Sequence, residues 1–382
     1  MSGAHFVSRE PFDPHAVEAM TPQQERYFRA SQWQLMWWRF LRHKPAVISG
    51  AFLLALYVAT LFCEFLSPYG LETRNTEFIL APPQGVRLFH EGRFVGPYVY
   101  GLDYRLDMDT LQRIYEPNRL SVQPLRFLCR GTPYELWGLV ETDLHLVCPS
   151  RDGTFFLLGT DRLGHDLLTR ILYGARISLT VGLLGVAVSL VLGIVLGAIA
   201  GFYGGVADFL IQRAIEVIRC FPELPLWMAL SAALPADWSP LWIYLGITII
   251  LGLIDWTGLA RAVRSKFLAL REEDFCTAAT LMGAGSRRVM FRHLLPSFTS
   301  HIIASATLSI PGMILGETAL SFLGLGLRPP IVSWGVLLSQ AQNINVVVLY
   351  PWLLLPVIPV VLVVLAFNFF GDGLRDAADP YS

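Results

Sequence analysis

The segment "DFCTAATLMGAGSRRVMFRHLLP", residues 274–296, decides how the rest of this 382-residue sequence is interpreted. It contains helix-forming residues and several arginines. It nevertheless lies between two apolar runs, Leu241–Ala260 and Ile302–Gly324, each long enough to cross a bilayer as a helix. The pattern predicts an integral membrane protein in which a basic, water-exposed loop connects two spans.

The overall composition agrees with a membrane protein and argues against several other classes. The chain is 54% hydrophobic and 15% charged, which is too apolar for an ordinary soluble domain, and its net charge of −1 gives no basis for binding nucleic acid. Its two lysines, Lys44 and Lys266, do not stand in a Gly-Lys-[Ser/Thr] phosphate-binding loop. Any work driven by ATP is therefore expected to use nucleotide bound by another chain.

No pattern in the sequence indicates an enzyme active site, a metal site or a cofactor. The five cysteines include no CxxC pair, and neither a zinc-protease HExxH motif nor a nucleophile elbow is present. We therefore expect no catalytic residue and no metal ligand in this chain.

Five apolar runs reach the roughly 20 residues that a membrane-spanning helix needs. They are Ala46–Leu66, Ile177–Ala200, Leu241–Ala260, Ile302–Gly324 and Leu349–Phe370. A sixth candidate, about 207–234, is weaker because its first half contains four charged residues. Six spans would place both termini on the same side of the membrane.

The distribution of basic residues predicts which side that is. The 261–297 loop contains seven of them, whereas 325–348 contains only Arg328 and 235–240 contains none. The loop and both termini are therefore predicted to be cytoplasmic. This topology divides the chain into an N-terminal arm (1–45), a first helix (46–67), an external segment (68–170), a core of five helices (171–371) that includes the loop 264–297, and a tail (372–382).

The external segment is predicted to be rich in β-strands, because short apolar runs such as "VRLFHEGRFVGPYVYG", "PLRFLCRG" and "TFFLLG" are separated by turn residues. Cys129 and Cys148 bracket two further apolar runs, "YELWGLV" and "HLV". They form either a disulfide, in an oxidising compartment, or two buried thiols, because sequence does not give their Cα separation.

The N-terminal arm is predicted to contain a helix that lies at the membrane surface. Thr21 is a helix cap and Pro22 occupies the first helical position. Trp33, Trp37 and Trp38, with neighbouring arginines, suit the headgroup region better than an ordinary linker does.

Two carboxylates within the predicted spans are candidates for the translocation path. Glu317 and Asp255 are the only ones well inside the second, fourth, fifth and sixth spans, and a carboxylate inside a membrane is costly unless it has a purpose. The alternative is that each pairs with an arginine or caps a helix. Ser309 is a third candidate, since its hydroxyl lies just before Pro311 and Gly312, where the helix is expected to kink.

Three glycines in the second span, Gly193, Gly197 and Gly201, recur every four residues. Small residues at this spacing let two helix backbones approach closely in lipid. We interpret them as a packing surface, within this protein or against a partner.

Segment 274–296 also resembles a known motif. Two alanines, then Gly283 after three further residues, His293 after nine more and Leu295-Pro296 after one more are similar to the EAA loop of bacterial ABC-importer permeases. Three other segments resemble the dipeptide/oligopeptide permeases, specifically their second, C-type subunit and its branch with a large periplasmic insertion. They are "LGTDRLGHDLLTRILYGARISLTVG" (158–182), "LSFLGLGLRPPIVSWGVLL" (320–338) and "FNFFGDGLRDAADP" (367–380).

The resemblance implies an all-α type I ABC-importer permease with six transmembrane helices, multi-pass in the bacterial inner membrane, with a β-rich extracytoplasmic insertion between helices 1 and 2. It implies three kinds of protein partner, a homologous permease subunit, ATP-binding subunits that hold ATP and Mg, and a periplasmic substrate-binding protein, besides membrane lipid. The residues expected to couple to the ATPase are Asp274, Ala278, Ala279, Gly283, Leu295 and Pro296. Ala278 and Ala279 would present a small, flat surface to it.

Peptides or peptide-like compounds are the expected cargo. Opines, oligosaccharides and nickel complexes are alternatives within the same family. A proton-driven secondary transporter using Glu317 or Asp255 is the rival from another class, and it leaves the 274–296 loop without a role.

Overall fold

The computed structural model of the chain describes residues 29–378, except 110, 111, 152 and 236. The helix start expected at Thr21 and Pro22 lies outside these residues. The described helices are α1 Gln32–Arg42, α2 Lys44–Leu61, α3 Cys63–Leu66, α4 Leu167–Tyr203, α5 Gly205–Arg219, α6 Glu223–Ala232, α7 Pro240–Leu270, α8 Asp274–Leu281, α9 Ser286–Arg288, α10 Thr299–Phe322, α11 Trp334–Ser339, α12 Ile344–Leu349 and α13 Val357–Ala378.

Within the described part of the chain, five helical stretches are long and apolar enough to cross a membrane. They are Lys44–Leu61, Leu167–Tyr203, Pro240–Leu270, Ser286–Phe322 and Pro351–Ala378. Each contains most of one apolar run identified from the sequence. The protein is therefore a helical, multi-span membrane protein.

The weak sixth candidate is a broken helix. Its residues form α5 and α6, of 15 and 10 residues, separated at Cys220–Pro222. Pro222 has no backbone N–H to continue the α5 ladder and restricts the residue before it, which accounts for the interruption. Neither piece alone has the length of a span.

The glycine spacing in α4 serves packing within this chain. A Cβ added to Gly197 would lie 2.5 Å from the Ala260 carbonyl oxygen of α7, and one added to Gly201 would lie 2.6 Å from Cβ of Phe267. The backbones of α4 and α7 are therefore in contact along this edge, as the sequence pattern predicts.

The central core forms where α4, α7, α10 and α13 meet. Leu251 of α7, Ile314 of α10 and Val363 of α13 are fully buried there, and Trp334 of α11 closes the core at one end. At that end, Trp334 donates its indole N–H to the Ile171 carbonyl of α4, at 3.1 Å.

The β-strands lie between α3 and α4. Strands β1 (Arg87–His90), β2 (Arg93–Leu106) and β3 (Arg113–Pro124) form an antiparallel sheet, and β4 (Arg126–Leu136) and β5 (Val140–Cys148) form a separate hairpin. "TFFLLG" is a loop rather than a strand, and β3 is not among the runs singled out from the sequence. A disulfide joins Cys129 of β4 to Cys148 of β5, with Cα atoms 6.2 Å apart.

Helix α1 has one packed face and one exposed face. Ser31 and Gln34 form a reciprocal capping box at its start. Phe40 is buried and its ring contacts Phe370 of α13, with centroids 5.6 Å apart, whereas Trp33 and Trp37 are exposed. The exposed indoles form the apolar surface that a helix at a membrane interface would bury in lipid.

Candidate functional sites

The first candidate site is helix α8, in the connection between α7 and α10. Asp274 lies in its first turn, where a carboxylate favours the positive end of the helix dipole. The helix ends at Gly283, whose φ is +86°. Ala284 N–H bonds to the Ala279 carbonyl and Gly283 N–H to the Thr280 carbonyl, at 3.0 and 2.9 Å. This is the Schellman arrangement, which needs a left-handed residue after the helix, and glycine adopts that conformation without steric cost.

The two faces of α8 have different surroundings. Cys276 and Ala279 are buried, Ala279 to 3% exposure, among apolar residues that include Leu294 and Phe298. Ala278 is exposed, and Leu281 and Met282 at the end of the helix are 83% and 81% exposed. The expectation that both alanines present one flat outer surface is therefore wrong for Ala279, because a helix rotates about 100° per residue and adjacent residues cannot share a narrow face.

The second half of the connection fixes α8 to the spans. A π-helical turn (Val289–Leu294) and a 3-10 turn (Leu295–Phe298) lead into α10. Leu295 is half-buried and packs against the same apolar cluster, whereas Pro296 is exposed.

An ion pair joins α7 to α5 near this end of the bundle. The Arg264 guanidinium donates two hydrogen bonds to the Asp208 carboxylate, one of them at 2.6 Å. Bidentate pairs of this kind fix orientation as well as distance. The pair therefore holds α7 and α5 together at this end of the bundle.

Glu317 of α10 is fully buried in a group of hydroxyl donors. Its Oε1 atom accepts hydrogen bonds from Ser321 and Ser333, both at 2.7 Å, and its Oε2 atom accepts one from Ser178 of α4 at 3.2 Å. Ser178 Oγ in turn accepts a hydrogen bond from the backbone N–H of Trp334, at 3.1 Å. The carboxylate thus joins α4, α10 and the start of α11, and no solute reaches it in this conformation.

Asp255 of α7 has different surroundings. It is half-buried and lies at a cleft of about 180 Å³ between α4, α7 and α10. Its Oδ2 atom accepts a hydrogen bond from Ser189 of α4 at 2.9 Å, and Ser309 of α10 lines the same cleft. Ser305, one turn before Ser309, lines the same cleft. We refer to this site as the Asp255 cleft.

Two glycines next to these residues leave space on the surface of the bundle. Gly258 of α7 lines the Asp255 cleft, one turn after Asp255, and Gly312 of α10 lies one turn after Ser309. Both are exposed, and a Cβ added to either would meet no atom within 4 Å. This contrasts with Gly197 and Gly201, where the neighbouring helix is in contact.

The turn before α4 holds two further buried carboxylates. Asp161 accepts hydrogen bonds from the His165 backbone and ring and forms an ion pair with Arg170. Burial acts to raise the pKa of Asp161, but the Arg170 charge and the His165 hydrogen bonds outweigh it, and the pKa lies below its usual value. Asp166 caps α4 by accepting from the Thr169 N–H and hydroxyl, yet its Oδ1 atom has no partner among the residues that the structure describes. Burial raises the pKa of Asp166 to about 7.

The structure therefore brings two of the three predicted path residues, Asp255 and Ser309, to one cleft and places Glu317 elsewhere. Sequence reasoning missed Ser189 and Gly258 of the cleft, because small residues inside an apolar run give no sign of which face they occupy. It also missed Leu281 and Met282 on α8, whose exposure depends on where the helix ends.

Comparison with known proteins agrees with these observations. A family described as the inner membrane component of binding-protein-dependent transport systems matches residues 193–381. The N-terminal transmembrane domain of oligopeptide transport permease C matches residues 31–83.

Individual relatives extend the match. The oligopeptide transport system permease protein OppC of Haemophilus influenzae is 41% identical over 244 residues, which cover 63% of this chain and 75% of the relative. The dipeptide transport system permease protein DppC of Alkalihalophilus pseudofirmus is 42% identical over 223 residues, 58% of this chain and 71% of the relative. The glutathione transport system permease protein GsiD of Pectobacterium atrosepticum is 30% identical over 348 residues, 91% of each chain. The chain therefore belongs to the inner-membrane permeases of binding-protein-dependent ABC transporters, as a C-type subunit of the dipeptide/oligopeptide group.

Proposed function

We propose that this chain forms half of the translocation path of an ATP-driven importer for peptides or peptide-like compounds. A homologous permease subunit supplies the other half, two ATP-binding subunits supply the energy, and a periplasmic binding protein delivers the cargo. The names of the relatives refer to oligopeptide, dipeptide and glutathione transport, which supports peptides as the cargo.

The proposed topology has six crossings. The broken pair α5 and α6 makes the third crossing, which places both termini and α8 in the cytoplasm and the five strands outside. The basic residues of the α7–α10 connection support this orientation, because cytoplasmic loops carry an excess of arginine and lysine. An outer position for the strands also suits the Cys129–Cys148 disulfide, since disulfides persist in oxidising compartments.

The observation that carries the proposal is the division of α8 into two faces. Cys276 and Ala279 attach the helix to the spans, while Ala278, Leu281 and Met282 face outward, and no described residue covers them. A short helix with this arrangement suits docking into a groove on the ATPase. Asp274 and Gly283 lie at the two ends of this helix, and Leu295 and Pro296 lie in the turn that leads into α10.

The mechanism follows from this attachment. Closure of the ATPases on ATP moves α8, and α8 moves α7 and α10 because its inner face packs against the base of both. Nucleotide then shifts the population from an inward-open to an outward-open path by binding the second state more tightly. In this scheme Glu317 is a structural connection between spans, and Asp255 and Ser309 line the path.

The test is a tagged purification from native membranes in mild detergent, with co-eluting chains identified by mass spectrometry. We expect a homologous permease, an ATPase with a phosphate-binding loop and a binding protein. Leu281→Glu should lose the ATPase and keep the permease partner, because it puts a charge on the outward face of α8. The matched control is Leu120→Glu, at a leucine on β3 that is 96% exposed, which should retain both. Retention of the ATPase by Leu281→Glu at normal yield would contradict the docking role.

A further inference from the structure

We propose that the Asp255 cleft is a subsite for a primary ammonium group, such as the free amino terminus of a peptide or a lysine-type side chain. The inference rests on the proposed function, because only a translocation path brings a polar solute to this depth between the spans. It goes beyond that function by assigning the charge and the chemical class of the group that binds.

The first step is that the cleft is open to the surface of the bundle. Gly258 forms part of its wall and is exposed, and a Cβ added there would meet no neighbour within 4 Å. A polar cleft that opens from the middle of the spans cannot face hydrocarbon without a large cost. It must therefore face either a partner subunit or the path between the two permeases.

The second step is that the carboxyl group at the cleft has no ion-pair partner among the described residues. In the described part of the chain, no arginine, lysine or histidine nitrogen lies within 4 Å of the Asp255 carboxylate. Arg219, at the end of α5, acts on Asp255 only through its longer-range field and lines a separate cavity on the other side of α7. An ionised carboxylate at this depth is costly until a cation joins it.

The third step concerns the shape and chemistry of that cation. Asp255 and the hydroxyl oxygens of Ser189, Ser305 and Ser309 are acceptors that three different helices contribute. A primary ammonium has three N–H donors and no acceptor, so it matches several acceptors around one point. A guanidinium needs a planar, two-point partner, and a quaternary amine has no donor.

The fourth step is size. A cleft of about 180 Å³ is large enough for the charged end group of a peptide. The rest of the solute would remain in the wider path. The subsite would therefore bind one charged end and tolerate variation in the remainder of the solute. A carrier of varied peptides needs contacts to groups that all of them share.

The test measures the electrostatic preference of the cleft without requiring uptake. Gly258→Cys places a thiol in the open space, in a Cys220→Ser background, because Cys220 is the exposed free cysteine among the described residues while Cys63 and Cys276 are buried. Inside-out vesicles containing the whole importer, without nucleotide, are treated with a positively or a negatively charged methanethiosulfonate of similar size. The ratio of the two modification rates, divided by the same ratio for a free thiol in solution, is compared with its value in Asp255→Asn and Asp255→Glu.

We expect the cationic reagent to react at least about tenfold faster relative to the anionic one, which corresponds to roughly 1.4 kcal/mol. The preference should fall to near one in Asp255→Asn, remain in Asp255→Glu and increase in Arg219→Gln. Ethylammonium should slow the modification more than tetramethylammonium at equal concentration, because only ethylammonium donates hydrogen bonds.

Three outcomes would overturn the inference. A ratio near one with Asp255 intact would mean that the carboxyl is neutral or paired with an arginine of the partner permease. A thiol that reacts with neither reagent would mean that the cleft is covered in the assembled importer. Equal protection by the two amines would replace an ammonium subsite with a general cation site. None of these outcomes affects the co-purification test, so failure of the subsite and failure of the importer assignment are distinguishable.

Discussion

Glu317 and Asp255 are both carboxylates inside the spans, and sequence alone does not distinguish them as candidates for the translocation path. In the structure Glu317 is fully buried and receives three serine hydroxyls, whereas Asp255 is half-buried at an open cleft. The difference lies in how each charge is stabilised. Fixed donors of this chain surround Glu317, while Asp255 depends partly on what enters the cleft.

The comparison shows that an acid within a membrane span has at least two physical roles, which hydropathy does not separate. A carboxylate with a complete set of donors connects helices and resists movement. A carboxylate with an incomplete set binds a mobile partner. Four predictions test this distinction, from the largest expected effect to the smallest.

The largest effect is expected from removing the buried acid. Glu317→Ala leaves Ser178, Ser321 and Ser333 without their acceptor and creates a cavity, so the free energy of unfolding should fall by about 3 kcal/mol or more. Asp255→Ala should cost less than about 1 kcal/mol, because water replaces the lost contacts in the open cleft. Thermal unfolding of the detergent-solubilised protein measures both. Equal losses would remove the distinction between the two acids.

The second prediction compares a glycine in contact with a neighbouring helix and a glycine that lines the open cleft. Gly197→Leu forces a side chain into the α7 backbone and should destabilise the protein by about 2–3 kcal/mol, with reduced membrane abundance. Gly258→Leu meets no neighbour and should leave abundance unchanged. It should instead lower ATP-driven uptake, because the leucine fills the Asp255 cleft. Normal uptake by Gly258→Leu would show that the cleft lies off the path.

The third prediction concerns the two alanines of α8. Ala279→Leu overpacks the buried face and should cost about 1–2 kcal/mol. Ala278→Leu lies on the outward face and should leave the thermal midpoint unchanged. It should nevertheless reduce ATPase activity coupled to transport, because it alters the proposed docking surface. A loss of stability in Ala278→Leu, or none in Ala279→Leu, would contradict the assignment of the faces.

The features predictable from sequence are those with a local or periodic signal. The five long spans follow from apolar length, and the contact of α4 with α7 follows from glycines at four-residue spacing. The break between α5 and α6 is only hinted at by Pro222 and the charges around it. The position of α8 follows from the EAA-like pattern, but the division between Ala278 and Ala279 depends on the rotation of one short helix.

The remaining features could not be predicted, because they depend on contacts between residues far apart in the sequence. Nothing near Ser189 in the sequence shows that it contacts Asp255, 66 residues later, and nothing near Glu317 indicates that Ser178 and Ser333 reach it. Strand β3 is not apparent from the sequence, because arginine, glutamate, asparagine and proline interrupt its apolar pattern. Its pairing with β2 stabilises it.

The smallest effect is expected at Asp166. In its burial and its hydrogen-bond partners, this carboxylate is intermediate between Glu317 and Asp255. It is buried and accepts two hydrogen bonds from Thr169, but its Oδ1 atom has no partner and no cation forms an ion pair with it in the described part of the chain. Burial raises its pKa from 3.8 to about 7, so the folded protein binds a proton that the unfolded chain releases. The stabilisation is complete below about pH 4 and is lost as the pH rises through 7.

Between pH 6 and 7 the free energy of unfolding should therefore fall by about 1 kcal/mol through this group. The thermal midpoint at the two pH values, compared between the native protein and Asp166→Asn, isolates the effect. The amide keeps an acceptor for the Thr169 N–H and does not titrate, so its midpoint should change less over this interval. The neighbouring Asp161 does not contribute here, because its lowered pKa keeps it ionised at both values. The same pH dependence in Asp166→Asn would mean that Asp166 is already ionised and that its missing hydrogen bond is supplied by water, as at an open site.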